Sequence, residues 1–276
     1  MVKQSEKMEL VRWLVDALIA EVNAHGGSVP TQMEAVAKDP EASFEDLWLT
    51  FRALVNVRPP GPASSEFLTK QDLLLSALIG EAGIHTIADT VGSADDERIR
   101  LWRGDITTLA TDAIVNAANS GMTGCWQPLH YCIDNAIHTF AGVQLRAEMA
   151  AFMEDQGHEQ PTAEIVVSAA YNLPAKHIIH IVGPIAAGHP TAKHRAQLTR
   201  CYEACMDGAY AGQCTSIAFC CISTGVFGFP QEEAAQIAVS AVRHWFEEHP
   251  DASIVVVFDV FGETDEVLYK DLLGIA

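Results

Sequence analysis

Cys125, His130 and Cys132 fall within eight positions of one another, and Asp134 follows two residues later. Two thiolates and an imidazole suit Zn²⁺, and three protein donors leave the fourth tetrahedral position open to water or substrate. A structural zinc is ordinarily closed by a fourth Cys or His, so Cys-x₄-His-x-Cys points to a working metal beside an acid. Buried Cys and His also serve as plain packing residues. The compactness of the triad, interrupted by Pro128 and set just before a helix, favours the metal. Asp134 would stand in the first turn of that helix, where the dipole favours a carboxylate. Next to a metal it could also orient water or a sugar hydroxyl. His138, one turn further on, reads as structural.

Three further segments end strands. Asp105, in Gly104-Asp105-Ile106-Thr107, either caps a turn or accepts from an exocyclic amine such as that of adenine. Asn116 and Asn119 flank Ala117-Ala118; an Asn side chain donates and accepts at once, which suits vicinal sugar hydroxyls, although two Asn near Gly121 are also ordinary turn chemistry. Ser223-Thr224-Gly225-Val226-Phe227-Gly228 precedes a helix that begins near Gln231. Its glycines would let backbone N–H groups approach an anion without cationic side chains, or simply make a strand-to-helix loop. No Gly-Lys-Ser/Thr follows, so it is not a Walker motif.

The elements that must position these residues change character along the chain. Residues 1–95 read as helical: Leu10, Trp13, Leu14, Ala17 and Leu18 recur at helical spacing, Ser43 begins a capping box, Arg58-Pro59-Pro60-Gly61-Pro62 breaks a helix, and Glu66–Leu78 forms another. Beyond Asp95-Asp96-Glu97 strands and helices alternate. Strands are expected at Ile99–Trp102, Ala113–Val115, Glu164–Ala169, His177–Val182, Ser216–Ile222 and Ile254–Phe258. Helices are expected at Ile133–Ala150, His194–Ala211, Gln231–Glu247 and Asp265–Leu273. The alternation predicts an α/β sandwich whose ligands sit at the carboxyl ends of strands.

Composition sets limits on partners. With 17 basic and 36 acidic residues the formal charge is −19, which argues against nucleic acid and anionic membranes as partners. No apolar run is long enough to span a bilayer, and the first residues lack the pattern of a secretory signal. Seven cysteines, an odd number, suit a reduced cytosol, so a cytoplasmic location is expected. Cys201 and Cys205 read as packing residues.

In order, these segments resemble the macrodomain family of ADP-ribose-binding proteins. The likeness rests on Gly104-Asp105-Ile106-Thr107, Asp112–Asn119, Ile133–His138, His180-Ile181-Val182-Gly183-Pro184 and Ile222–Pro230, and spans roughly residues 96–276. Gly124-Cys125…His130-Tyr131-Cys132 stands where hydrolytic macrodomains carry a glycine-rich loop. That replacement resembles the zinc-dependent branch, often encoded beside sirtuin-type ADP-ribosyltransferases. Members of that branch carry an N-terminal helical extension, and Arg58-Pro59-Pro60 with Gln71-Asp72 fits the pattern.

The resemblance implies a three-layer α/β/α sandwich with a mixed sheet over residues 96–276, preceded by a helical extension over 1–95. It implies ADP-ribose above the sheet, with Asp105 and the Ile106 backbone at adenine and Ser223, Thr224, Gly225, Val226 and Phe227 around the diphosphate. Asn116 and Asn119 would lie towards the distal ribose, the backbone of Cys132 and Ile133 would donate to phosphate or ribose oxygens, and Phe261 is a candidate for stacking on adenine. One Zn²⁺ per chain on Cys125, His130 and Cys132, with Asp134 and Asn119 as catalytic residues, would serve hydrolysis of mono-ADP-ribose from acidic side chains of a protein modified by a sirtuin-type transferase. A non-catalytic reader of ADP-ribosylated proteins and an O-acetyl-ADP-ribose deacetylase are the alternatives.

Overall fold

The computed structural model describes residues 2–276. Five apolar strands are parallel: β2 (Ile99–Arg103), β3 (Ala113–Ala118), β5 (His177–Val182), β6 (Ser216–Phe219) and β7 (Val255–Val260). Two antiparallel strands, β1 (Val91–Gly92) and β4 (Ile165–Ala169), close the edges, giving the order β1-β2-β7-β6-β3-β5-β4. Strands covered on both faces should be apolar almost throughout, and every residue of β6 is buried.

Helices cover both faces. On one, α7 (Ala192–Ala211) lies against β4, β5 and β6, α9 (Glu263–Leu273) lies against β2 and β7, and α8 (Gln231–Glu248) packs on both of those helices. On the other, α5 (Ile133–Ala141) packs on β3 and α6 (Val143–Gln156) on β4. This is the expected three-layer α/β/α arrangement with a mixed sheet.

The four preceding helices, α1 (Gln4–Ala24), α2 (Thr31–Lys38), α3 (Phe44–Val57) and α4 (Ser65–Ala82), bury a second core that includes Leu14, Val15, Leu47, Phe51, Leu74 and Leu75. Ser43 caps α3 by accepting the Asp46 N–H at 3.1 Å, and Ser64 caps α4 through Phe67 N–H at 3.1 Å. The proline-rich segment stops α3 at Val57. Val143 is buried within this second core, and Phe140 packs against both cores.

Local expectations needed four corrections. The segment Ile133–Ala150 is two helices, because Gly142 adopts φ +102° and interrupts an apolar period that runs through it. A Cβ on Gly142 would lie 2.5 Å from Gln71 Nε2 and 2.6 Å from Gln144 Oε1. β6 ends at Phe219, where its pairing with β7 ends, so Cys220–Ile222 belongs to the following loop. Val91–Gly92, inside the stretch read as helical, pairs with β2. β3 continues to Ala118, which places Asn116 within the strand. Among the described residues no helix is long and apolar enough to cross a membrane.

Candidate active site

Because β2, β7, β6, β3 and β5 run parallel, the loops after them gather along one edge of the sheet. Asp105, Phe261, Ser223–Phe229, Asn119 and Gly183 therefore lie along that edge in the order of their strands. Open α/β sheets bind ligands at such an edge.

Asp105 caps the short turn Ile106–Thr108: its Oδ1 accepts from Thr107 N–H at 2.9 Å and from the Thr107 hydroxyl at 2.7 Å. The turn role is thus realised, while the side chain stays exposed and Ile106 is buried. One strand over, Asp259 is buried with Oδ1 unpartnered; burial, with Asp105 nearby, raises its carboxyl well above the usual range.

The Ser223–Phe229 loop folds on itself. Phe229 N–H donates to Ser223 O at 2.9 Å and Gly228 N–H to Gly225 O at 2.9 Å, with Ser223 at φ +68° and Gly228 at φ +64°. The Phe227 carbonyl accepts from Ala186 N–H at 2.9 Å, tying this loop to the one after β5. Gly183 makes that approach possible, since a Cβ there would lie 2.1 Å from Ser223 Oγ. The N–H groups of Gly225, Val226 and Phe227 donate to no protein group among the described residues. Free N–H groups on successive residues are what an anion cradle is built from.

The loop between β3 and α5 carries the metal-type ligands. One donor atom each from Cys125, His130 and Cys132 lies within 4.8 Å of the others, all half-buried, and Cys125 Sγ stands 3.5 Å from His130 Nδ1. Burial, with Cys125 and Asp134 close by, pushes the Cys132 thiol up to about 12 despite an N–H donated by Asn135. A bound cation would reverse that balance, because a coordinated thiol is deprotonated outright. These three residues could hold a metal.

Cys132 is also the N-cap of α5, and Asp134 sits in its first turn, buried. Asp134 Oδ1 accepts from Asn116 Nδ2 at 2.8 Å and Oδ2 from Asn119 Nδ2 at 3.1 Å. Burial raises its carboxyl, and the two amides and the Arg146 charge hold the rise to about 6. The Asn119 amide also donates to Gly124 O at 3.1 Å, so one residue links the acid to the ligand loop. Gly124, at φ +83°, lies so close to the His138 ring that a Cβ would be 2.7 Å from it.

The ligand loop is held from outside by residues that local spacing does not reveal. Arg146 of α6 donates to Thr123 O at 2.7 Å, Val55 O at 3.0 Å, Arg58 O at 2.9 Å and Cys125 O at 3.5 Å, and stacks 4.3 Å from the Trp126 ring. It joins the end of α3 to the first part of the ligand loop. On the far side, Tyr131 meets Phe261 edge to face at 5.7 Å, both exposed. Ser168, His180 and Arg146 carry no local spacing signal of a place near the site, although His180 lies in the His180–Pro184 motif. His138, read as structural, is buried with Nε2 3.6 Å from Asp134 Oδ1 and neither ring nitrogen hydrogen-bonded.

The family model for the Macro domain matches residues 115–238. A protein-ADP-ribose hydrolase of Treponema medium is 47% identical over 265 residues, covering 95% of this chain and 97% of that protein. A protein-ADP-ribose hydrolase of Staphylococcus aureus strain MRSA252 is 47% identical over 231 residues, 83% of this chain and 86% of that protein. A probable bifunctional ADP-ribose hydrolase/ADP-ribosyltransferase of Fusarium oxysporum f. sp. cubense is 40% identical over 81% of this chain and 40% of that protein. Among solved structures, the Trypanosoma brucei macrodomain in complex with ADP-ribose superposes with a TM-score of 0.62 at 29% identity, covering 81% of this chain and 95% of that one. The chain belongs to the Macro domain family. Its relatives at 47% identity are protein-ADP-ribose hydrolases.

Proposed function

We propose that this chain is a zinc-dependent hydrolase that releases mono-ADP-ribose from acidic side chains of a modified protein. The observation that carries the reading is the joining, through Asn119 and the α5 N-terminus, of a three-donor ligand cluster to a buried carboxylate. The donor set fits zinc: with Zn–S of about 2.3 Å and Zn–N of about 2.0 Å, tetrahedral geometry sets neighbouring S and N at about 3.5 Å, and Cys125 Sγ lies 3.5 Å from His130 Nδ1. Three ligands leave one position free, which separates a working site from a closed structural one.

The chain's residues divide the work. The free N–H groups of Gly225, Val226 and Phe227 bind the diphosphate, compensating for the scarcity of cationic side chains in a chain of net charge −19. Asp105 and Ile106 take the adenine edge, and the backbone of Ile133 at the start of α5 faces phosphate or ribose. Thr224 and Ser223 shape the phosphate loop. Asn116 and Asn119 orient both oxygens of Asp134 and the distal ribose, and Asp134 orients the attacking water. Zinc, when bound, supplies Lewis acidity and grip at a ribose hydroxyl or water.

The hydrolase/transferase pairing in the name of the Fusarium relative supports an ADP-ribosyltransferase as the source of the modified protein; that it is of sirtuin type rests on the sequence resemblance alone. Thiolate ligands need a reducing compartment, and on that ground we place the enzyme in the cytoplasm. The test is release of free ADP-ribose from Asp/Glu-, Ser- and Arg-linked substrates, with and without chelator, by the wild type, Cys125→Ala and Asp134→Ala. Release from acidic linkages only, lost in both variants, supports the reading. Full turnover by metal-free Cys125→Ala removes zinc from it, and tight binding without release makes the protein a reader. Turnover confined to O-acetyl-ADP-ribose makes it a deacetylase.

A further inference from the structure

Behind Asp134 a line of buried polar side chains crosses three neighbouring strands. Ser168 on β4 meets His180 on β5, with Oγ 2.8 Å from Nε2. His180 Nδ1 lies 3.1 Å from Asn116 Nδ2, its register partner on β3. Asn116 Nδ2 then reaches Asp134 Oδ1 at 2.8 Å. All four residues are at most 5% exposed, so water cannot substitute for a missing partner without entering the core.

The direction of each bond follows from counting hydrogens. Asn116 Nδ2, which also donates to Asp134, stands against His180 Nδ1, so the hydrogen of a neutral His180 ring sits on Nε2 and goes to Ser168 Oγ, whose own hydrogen is free to turn to Ala169 O at 3.2 Å. Burial lowers the His180 pKa to about 3, so the ring is neutral and Nδ1 carries a lone pair. Nδ1 therefore accepts one hydrogen of Asn116 Nδ2, and the second goes to Asp134. Reversing the amide would set Asn116 Oδ1 against the carboxylate oxygen. The chain of donors thus commits both amide hydrogens of Asn116, and its Oδ1 is buried and unpartnered among the described residues.

We propose that His180 is a positioning residue, locked by Ser168 as its Nε2–H tautomer so that Asn116 donates to Asp134 and fixes the orientation of its carboxylate. The inference rests on the hydrolase reading for its catalytic consequence, but its structural content can be read without turnover.

The deciding measurement is ¹⁵N NMR of selectively histidine-labelled full-length protein. His180 should show a protonated Nε2 and an unprotonated Nδ1. An Nδ1–H tautomer overturns the proposal whatever the enzyme does. Ser168→Ala removes the lock, and mixed tautomers are expected. The same variant should lose about 10- to 100-fold in kcat, the scale of a small misplacement of a reacting group, with KM within about threefold of wild type. Retention of wild-type kcat in a folded Ser168→Ala protein also overturns it. If that variant does not fold, the wild-type tautomer still decides. A wild type that releases no ADP-ribose refutes the hydrolase reading alone, because the tautomer stands or falls separately.

Discussion

Asn56, near the end of α3, accepts the Leu129 N–H at 3.0 Å through Oδ1. One residue of the N-terminal helices therefore grips the middle of the segment that carries Cys125, His130 and Cys132. Leu129 sits at φ +56°, a conformation that needs support from its surroundings. The same amide donates to Thr139 of α5 at 3.1 Å, so Asn56 ties the ligand segment to the helix bearing Asp134.

Asn56→Leu should therefore loosen the metal-type site as well as the fold. Taking the acceptor from the Leu129 N–H and the amide donor from the buried Thr139 hydroxyl is expected to cost about 1–3 kcal/mol. Zinc per chain, read by atomic emission after dialysis, should fall below that of the wild type. Full zinc retention with only a lower denaturation midpoint would limit Asn56 to a fold-wide role.

Arg146→Met should cost more, about 3 kcal/mol, since a buried guanidinium leaves several carbonyls without donors when removed. Arg146→Lys should recover little, because an ammonium cannot fork to Thr123 O, Val55 O and Arg58 O together. Urea unfolding of the three proteins checks the ranking. A lysine variant as stable as wild type would mean that charge alone, not the fork, holds these carbonyls.

Gly183→Ala tests the phosphate loop without touching a metal-type ligand. The added methyl would meet Ser223 Oγ at 2.1 Å and Ile222 Cγ2 at 2.9 Å, so the loop must shift. ADP-ribose affinity, measured by calorimetry, should fall by about tenfold or more, while zinc content stays at wild-type level. Unchanged affinity would place the diphosphate elsewhere.

Asp112 provides a pH prediction far from the site. Burial raises its carboxyl, but Lys176 and the N–H and hydroxyl of Thr215, both at 2.6 Å, outweigh that and bring it down to about 2. A folded-state pKa below the unfolded one gives stability that is complete above about pH 4 and lost as pH falls towards 2. Wild type should exceed Asp112→Asn by about 1–2 kcal/mol at pH 6, with the difference shrinking below pH 4. A gap that persists at pH 2.5 would assign the effect to packing.

What could be read in the sequence was what depends on near neighbours in the chain. The three donors at Cys125, His130 and Cys132 share one loop, and their spacing alone brought them into one cluster. Strands β6 and β7 were legible as apolar runs. The break at Gly142 was not, because Ile133, Ile137, Phe140, Ala141 and Leu145 keep helical spacing across it; Gln71, far away in sequence, accepts the Val143 N–H just after the break at 3.0 Å. Ser168 and His180 were invisible as partners of Asn116 for a similar reason. Their meeting depends on which strands lie side by side and in what register, and no local pattern carries that information.

The shared position of Phe140 and Val143 has a consequence for how the chain can be divided. A fragment beginning after α4 would carry an intact sheet, yet its α5–α6 corner would present bare apolar side chains and a ligand segment without its Asn56 clamp. Such a fragment is a candidate for self-association rather than a smaller working enzyme. The helices ahead of the sheet are part of the frame that holds the segment carrying Cys125, His130 and Cys132.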